Sequence, residues 1–163
     1  MKRLLLYVHF NKYDHISRHV FYQLEHMRPL FDKLVFISNS RLSESEVQKL
    51  RDKHLIDDFI QRENKGYDFA AWHDGMEFVG FDNLKQYDSV TVMNDTCFGP
   101  LWDMAPIYDK YESNSNVDFW GMTNHQGIKA GDIYIHEHLQ SYFISFKKRL
   151  VESSVFQKFW KSV

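Results

Sequence analysis

Three short polar segments hold most of the side chains able to do chemistry: Ser38-Asn39-Ser40, Asn64-Lys65-Gly66-Tyr67-Asp68 and Asn94-Asp95-Thr96. Each follows an apolar run, and each alone has turn composition, since Asn, Asp, Ser and Gly are what turns use. Together they describe an anion site with a cation holder. Gly66 stands where the chain enters an expected helix, so backbone N–H groups and the positive helix end can face a diphosphate, with Lys65 adding charge. Asp95 places a carboxylate at a strand tip, where Mg²⁺ or Mn²⁺ is held by one or two protein oxygens plus substrate phosphates. The competing reading of Asp95 is an Asx-turn. His136-x-His138 adds two imidazoles that would share one face of a strand. Zinc signatures need further Cys or His at set spacing, and His136-Glu137-His138-Leu139-Gln140 is not the hydrolytic His-Glu-x-x-His pattern, so a hydrolytic zinc site is not expected. The histidines His15, His19, His26 and His54 read as solvated.

The elements that must position these residues alternate. Leu4–Phe10 is a continuous apolar run of strand length, the pattern of a strand buried on both faces. Ser17–Arg28 carries Val20, Phe21, Leu24 and Met27 at helical spacing and stops at Pro29. Leu34–Ile37 is a second strand. Ser43-x-x-Glu46 is a capping box opening a helix with Val47 and Leu50 on its apolar face. Asp57–Gln61 reads as a third strand, Asp68 as the cap of a helix bearing Phe69, Trp72, Met76 and Val79, and Ser89–Met93 as a fourth strand. Further on, Pro100 and Pro106 do not fit inside one helix, so a turn and then a helix from near Pro106 are expected. Asp118–Thr123 reads as a strand, Asn124–Gly131 as a polar loop, Gln140–Phe146 as a strand and Ser153–Trp160 as a helix. The alternation implies a three-layer α/β sandwich with a mostly parallel sheet, whose ligands gather outside the carboxyl ends of the strands.

Composition bounds the function classes. With 163 residues, 44% of them hydrophobic, the chain has the size and apolar content of a single domain spanning residues 1–163. Its formal net charge is −2 with no block of like charge, so the electrostatic footprint of a nucleic-acid binder is missing. No apolar run approaches the roughly 20 residues that cross a bilayer. Met1-Lys2-Arg3 followed by Leu4–Val8 imitates a signal peptide, but His9 interrupts it and no small-residue cleavage site follows. The lone Cys97 fits a reducing compartment, so a cytoplasmic location is expected, with peripheral attachment at the inner membrane face as its variant. Aromatic residues make up 17% of the chain, read as core filling ahead of stacking surfaces for sugars or bases.

Four segments in a fixed order resemble the rhamnan synthesis F family of bacterial rhamnosyltransferases: Asn64–Trp72, Asn94-Asp95-Thr96-Cys97-Phe98-Gly99-Pro100, Phe119-Trp120-Gly121-Met122-Thr123 and His138-Leu139-Gln140-Ser141-Tyr142-Phe143. The resemblance runs from Val8-His9 to Phe159-Trp160. That family is in turn similar to the GT-A, Rossmann-like glycosyltransferases. The resemblance implies a donor site at Ser38, Asn39, Asn64, Lys65, Gly66 and Asp68, with Ser38-Asn39 in the base-contacting turn. It also implies that Asn94-Asp95-Thr96 replaces an Asp-x-Asp metal motif, keeping one acidic residue, and that His138 contacts the metal or the donor phosphates. The implied activity is transfer of rhamnose from dTDP-L-rhamnose to a polysaccharide or lipid-linked glycan acceptor of rhamnan or O-antigen type, metal-assisted and inverting. The acidic residue that activates the acceptor commonly follows a segment like Gln140–Trp160, so the chain is expected to be truncated at its C-terminus, a fragment of a longer enzyme. Two other classes compete: a non-catalytic nucleotide-sugar-binding or scaffold domain, and a flavodoxin-like or receiver-like interaction module.

Overall fold

The computed structural model describes residues 1–163. Strand β1 (Arg3–His9) leads into α1 (Arg18–Met27), which a 3₁₀ turn through Pro29 terminates before β2 (Lys33–Ser38). Helix α2 (Glu44–Asp52), β3 (Asp58–Gln61), α3 (Tyr67–Val79), the short α4 (Phe81–Leu84), β4 (Ser89–Asn94) and α5 (Ala105–Glu112) follow. After β5 (Phe119–Gly121) come four short strands, β6 (Asn124–His125), β7 (Ile128–Ala130), β8 (Ile133–Ile135) and β9 (His138–Leu139). The chain closes with β10 (Phe143–Lys147), α6 (Lys148–Val151) and α7 (Ser154–Lys161).

Six strands form the main sheet in the order β3-β2-β1-β4-β10-β5. The strands β3, β2, β1 and β4 are parallel, and β10 runs antiparallel to both its neighbours. The period-two alternation of a strand divides β1 between two cores. Leu5 and Tyr7 face a cluster built with α1, α2 and α5, whereas Leu4, Leu6 and Val8 face a second cluster under α3 and α7. Helices therefore cover both faces, which is why β1 and β4 are buried along their length with no polar-outward side. Gly75 lets α3 approach the sheet closely: a β-carbon there would lie 2.5 Å from Ile37 Cδ1.

Several expectations need correction. Asn124–Gly131 is not simply a polar loop, because β6 pairs with β9 and β7 pairs with β8 in two small antiparallel sheets outside the main one. The strand expected at Gln140–Phe146 begins only at Phe143, the first of its residues to pair with β4. Asp68 does not cap α3; Gly66 occupies that position with φ +71°. The capping box of α2 is half formed: Ser43 Oγ accepts from Glu46 N–H, but the Glu46 carboxylate accepts from Ile16 N–H instead of turning back on Ser43.

Candidate functional site

The chain crosses from one side of β1 to the other between β3 and β4, so the sheet order reverses at β1/β4, and a crevice at the carboxyl ends of these strands is where an open α/β sheet binds ligands. Register sets what stands there. His9 is level with Ser38 on β2, and Val8 with Asn94 on β4.

The His9 side chain is fully buried, its Nδ1 lies 3.0 Å from Ser38 Oγ, and its Nε2 has no hydrogen-bond partner. That Nε2 faces Asp95 Oδ2 across 3.9 Å. Burial lowers the His9 pKa from 6.5 to about 4, the neighbouring His15 backbone opposing it only in part, so the ring is neutral near pH 7 and forms no ion pair with Asp95. Asp95 Oδ2 accepts the Phe10 N–H at 3.1 Å. Its pKa is raised to about 6, first by burial and also by the nearby Asp68 charge, against the stabilising Phe10 N–H. No Lys or Arg pairs with it. The other edge of the sheet offers the contrast: Glu112, its side chain even less exposed than that of Asp95, is gripped in two places by Arg3, at 2.9 Å and 2.5 Å. A paired buried carboxylate reads as architecture, whereas a desolvated carboxylate without a cation in a crevice reads as a site.

Asn94, not Asp95, makes the Asx-turn: its Oδ1 accepts from Thr96 N–H and Thr96 Oγ–H, while its Nδ2 donates to Asp68 Oδ2 at 2.7 Å. This bond ties the tip of β4 to the first turn of α3. No side chain caps α3, so the N–H groups of its first turn have no intrahelical acceptor.

Other expected donor residues are placed differently. Ser38 is fully buried, its hydroxyl taken by His9 and by Ser40 N–H, so it braces the site from beneath. Asn39 is nearly buried and its Oδ1 accepts from Arg62. Asn64 is exposed, and Lys65 is 81% exposed and paired with Glu63. Arg62 was not singled out by sequence, yet it joins these pieces. Its guanidinium donates to Asn39 Oδ1, Asp74 Oδ2 and the Lys65 carbonyl at 2.8, 2.6 and 2.9 Å. His19, expected to be solvated, is half-buried and donates to the Asp95 carbonyl at 2.9 Å. His138 lies on the β6–β9 pair; it stacks on His125, with ring centroids 5.0 Å apart, and not on His136, which precedes β9.

The family model for rhamnan synthesis protein F matches residues 34–163, which include the Asn94–Asp68 junction and the whole β10–α7 segment. The chain belongs to the rhamnan synthesis protein F family. It is 30% identical over 145 residues to the uncharacterized protein y4gN of Sinorhizobium fredii, covering 88% of this chain and 36% of that protein. Virulence protein VirA of Vibrio anguillarum is likewise 30% identical, over 130 residues, covering 79% of this chain and 37% of VirA. The chain thus spans little more than a third of these relatives' length. Among solved structures it is similar to HddC from Yersinia pseudotuberculosis (TM-score 0.54, 9% identity, 93% of this chain and 79% of that one). A 4-diphosphocytidyl-2C-methyl-D-erythritol synthase gives TM-score 0.56 at 10% identity, covering 99% of this chain and 84% of that one. At such identities the likeness concerns the fold, which is GT-A-like: α/β, three-layered and Rossmann-like, with a mostly parallel sheet.

In this family member the residues present fit a divalent ion of one kind only. No three His, Cys, Asp or Glu side chains come together, so there is no all-protein cage, and His138 joins neither carboxylate. Asp95, with the Asp68 charge near enough to raise its pKa, would hold an ion such as Mg²⁺ only together with waters and substrate phosphates. The demand on Gly66 is local. A β-carbon there would sit 2.6 Å from Ala70 Cβ, in a left-handed conformation that costs a side chain roughly 1–2 kcal/mol. Gly66→Ala is therefore expected to destabilise the fold by about 1–3 kcal/mol, read as a lower urea midpoint at unchanged slope, whether or not a nucleotide is present. Unchanged stability with weaker nucleotide binding would assign Gly66 to ligand approach instead.

Proposed function

We propose that this domain binds dTDP-L-rhamnose and serves the transfer of its rhamnose, with inversion, to a hydroxyl of a growing polysaccharide or lipid-linked glycan. The observation that carries the reading is the cation-free, desolvated Asp95 at the β1/β4 crevice, beside the uncapped N-terminus of α3, in a member of the rhamnan synthesis protein F family. The α3 N–H groups would hold the donor diphosphate. Asn94 fixes the Asp68 carboxylate, and Asp95 with Asp68 would hold Mg²⁺ or Mn²⁺. Such an ion, when bound, offsets the charge of a departing diphosphate. No helix is long and apolar enough to cross a membrane, and the proposed place of action is cytoplasmic, against the inner membrane face.

Calorimetric titration with dTDP and UDP, each with Mg²⁺, Mn²⁺ or chelator, tests this. The expected result is dTDP binding that strengthens with metal and exceeds UDP binding. Binding of neither nucleotide would overturn the reading.

A further inference from the structure

The loop that leaves Asp95 is pinned and yet presents apolar side chains to water. Its carbonyls are held by one face of α1: His19 donates to Asp95, Gln23 to Cys97 and Tyr22 Oη–H to Pro100. Phe98, Leu101 and Trp102 nevertheless project outward, Trp102 being 68% exposed, although the other three tryptophans are buried. Holding a large aromatic side chain in water on a fixed loop wastes burial energy unless something stacks on it. Between this loop and α1 lies a hollow of about 350 Å³ lined by Tyr22, His26, Leu101, Trp102, Asp103 and Met104. That is near the lower end of the roughly 300–1,000 Å³ of small-ligand sites, room for a sugar ring.

Its walls have the two halves of carbohydrate recognition. An aromatic face carries negative quadrupole density that attracts the polarised C–H face of a pyranose, here from Trp102, with Tyr22 also lining the hollow. The rim supplies acceptors for hydroxyl groups. Asp103 uses Oδ1 to cap Ala105 N–H, leaving Oδ2 for a ligand. His26 Nδ1 lies 2.8 Å from the Tyr22 carbonyl, to which it must donate, so Nε2 is the ring nitrogen left to face a ligand.

We propose that this hollow is the acceptor subsite, binding a sugar unit of the glycan that receives the transferred residue. The assignment rests on the glycosyltransferase reading above and adds where the acceptor sits: on the loop that starts at Asp95, with His19 bonded to Asp95 and its ring tilted against Phe98, centroids 4.7 Å apart, so that both subsites share one brace.

Trp102 is the one tryptophan accessible to aqueous iodide, so fluorescence quenching reports on the hollow. An α-linked L-rhamnose trisaccharide is expected to shield Trp102 in the wild-type protein. Trp102→Ala should weaken trisaccharide binding, followed by ligand-observed NMR, at least tenfold, and Asp103→Asn, which keeps the cap on Ala105, several-fold. The dTDP affinity of both variants should stay unchanged. Equal trisaccharide binding by Trp102→Ala, or shielding by anionic lipid vesicles and not by the trisaccharide, would overturn the subsite. Trisaccharide binding without any dTDP binding would make the hollow a glycan site but sink the donor reading and the acceptor role with it, whereas dTDP binding without trisaccharide binding would sink the subsite alone, so the two failures are distinguishable.

Discussion

Asp95→Asn is expected to make the protein more stable and its donor site worse. The Asp95 carboxyl has a pKa raised from 3.8 to about 6, and its side chain is 12% exposed. A carboxyl that holds its proton more tightly when folded contributes stability that is full below pH 3.8 and lost as pH rises through about 6. At neutral pH the charged form therefore costs on the order of 3 kcal/mol, which an amide of the same size does not incur. His9 slopes the other way: lowered from 6.5 to about 4, it contributes stability that is full above pH 6.5 and lost as pH falls through about 4. In the wild type the two slopes oppose each other between about pH 4 and 6, whereas Asp95→Asn retains only the His9 slope. Urea unfolding from pH 4.5 to 7.5 should show a variant that gains on the wild type as pH rises. In the same protein, loss of a charge-assisted contact of roughly 1.5–3 kcal/mol should weaken dTDP binding about ten- to a hundred-fold, in the presence of Mn²⁺ and not of chelator. A variant no more stable at neutral pH, or one as responsive to metal as the wild type, would remove the special standing of Asp95.

How legible this site was from sequence depends on which physical signal each residue leaves. The strands and helices up to Asn94 were legible because their burial is periodic: a run such as Leu4–Val8 has few alternatives to a doubly covered strand. The pairing of β10 was not, since antiparallel insertion between β4 and β5 is a long-range choice that leaves no local pattern. At the site, Asp95 and Asp68 were found through their place after a strand and before a helix. Their local pairing leaves no sequence signal, because whether Asn94 or Asp95 makes the Asx-turn depends on the distance of Phe10 N–H and of Asp68. Ser38 was misleading for a similar reason: a serine after a strand looks exposed until its partner, His9, is seen beneath it. His9 itself hid inside an apolar run, where the one signal was an imidazole replacing a hydrophobe at a strand end.

Arg62 is the residue whose loss should spread furthest. It lies one position beyond β3, where a lone arginine next to Glu63 suggests an ordinary surface charge. Yet its side chain is only 13% exposed, and three donors are aimed at three different elements: the turn after β2, the body of α3 and the Lys65 carbonyl that shapes the entry to Gly66. Asp74 is 40% exposed, so water replaces much of what it loses when the arginine goes, and its share is small. Asn39 is 6% exposed and cannot recover its acceptor bond that way. The Lys65 carbonyl, whose bond to Arg62 is exposed, likewise passes to water, so leaving the Asn39 amide oxygen unsatisfied should make Arg62→Ala less stable by about 1–3 kcal/mol. Lysine restores the charge but not the planar fork, so Arg62→Lys should recover less than half of the loss. Because Arg62 anchors the turn leading into α3, both variants should also bind dTDP about tenfold more weakly under conditions where they remain folded, since freeing the turn means it must be ordered again on binding. Urea denaturation and nucleotide titration on the same samples separate the two effects. If Arg62→Lys matched the wild type in both, charge alone would account for Arg62, and the fixed turn would not be what prepares the α3 N-terminus for a diphosphate.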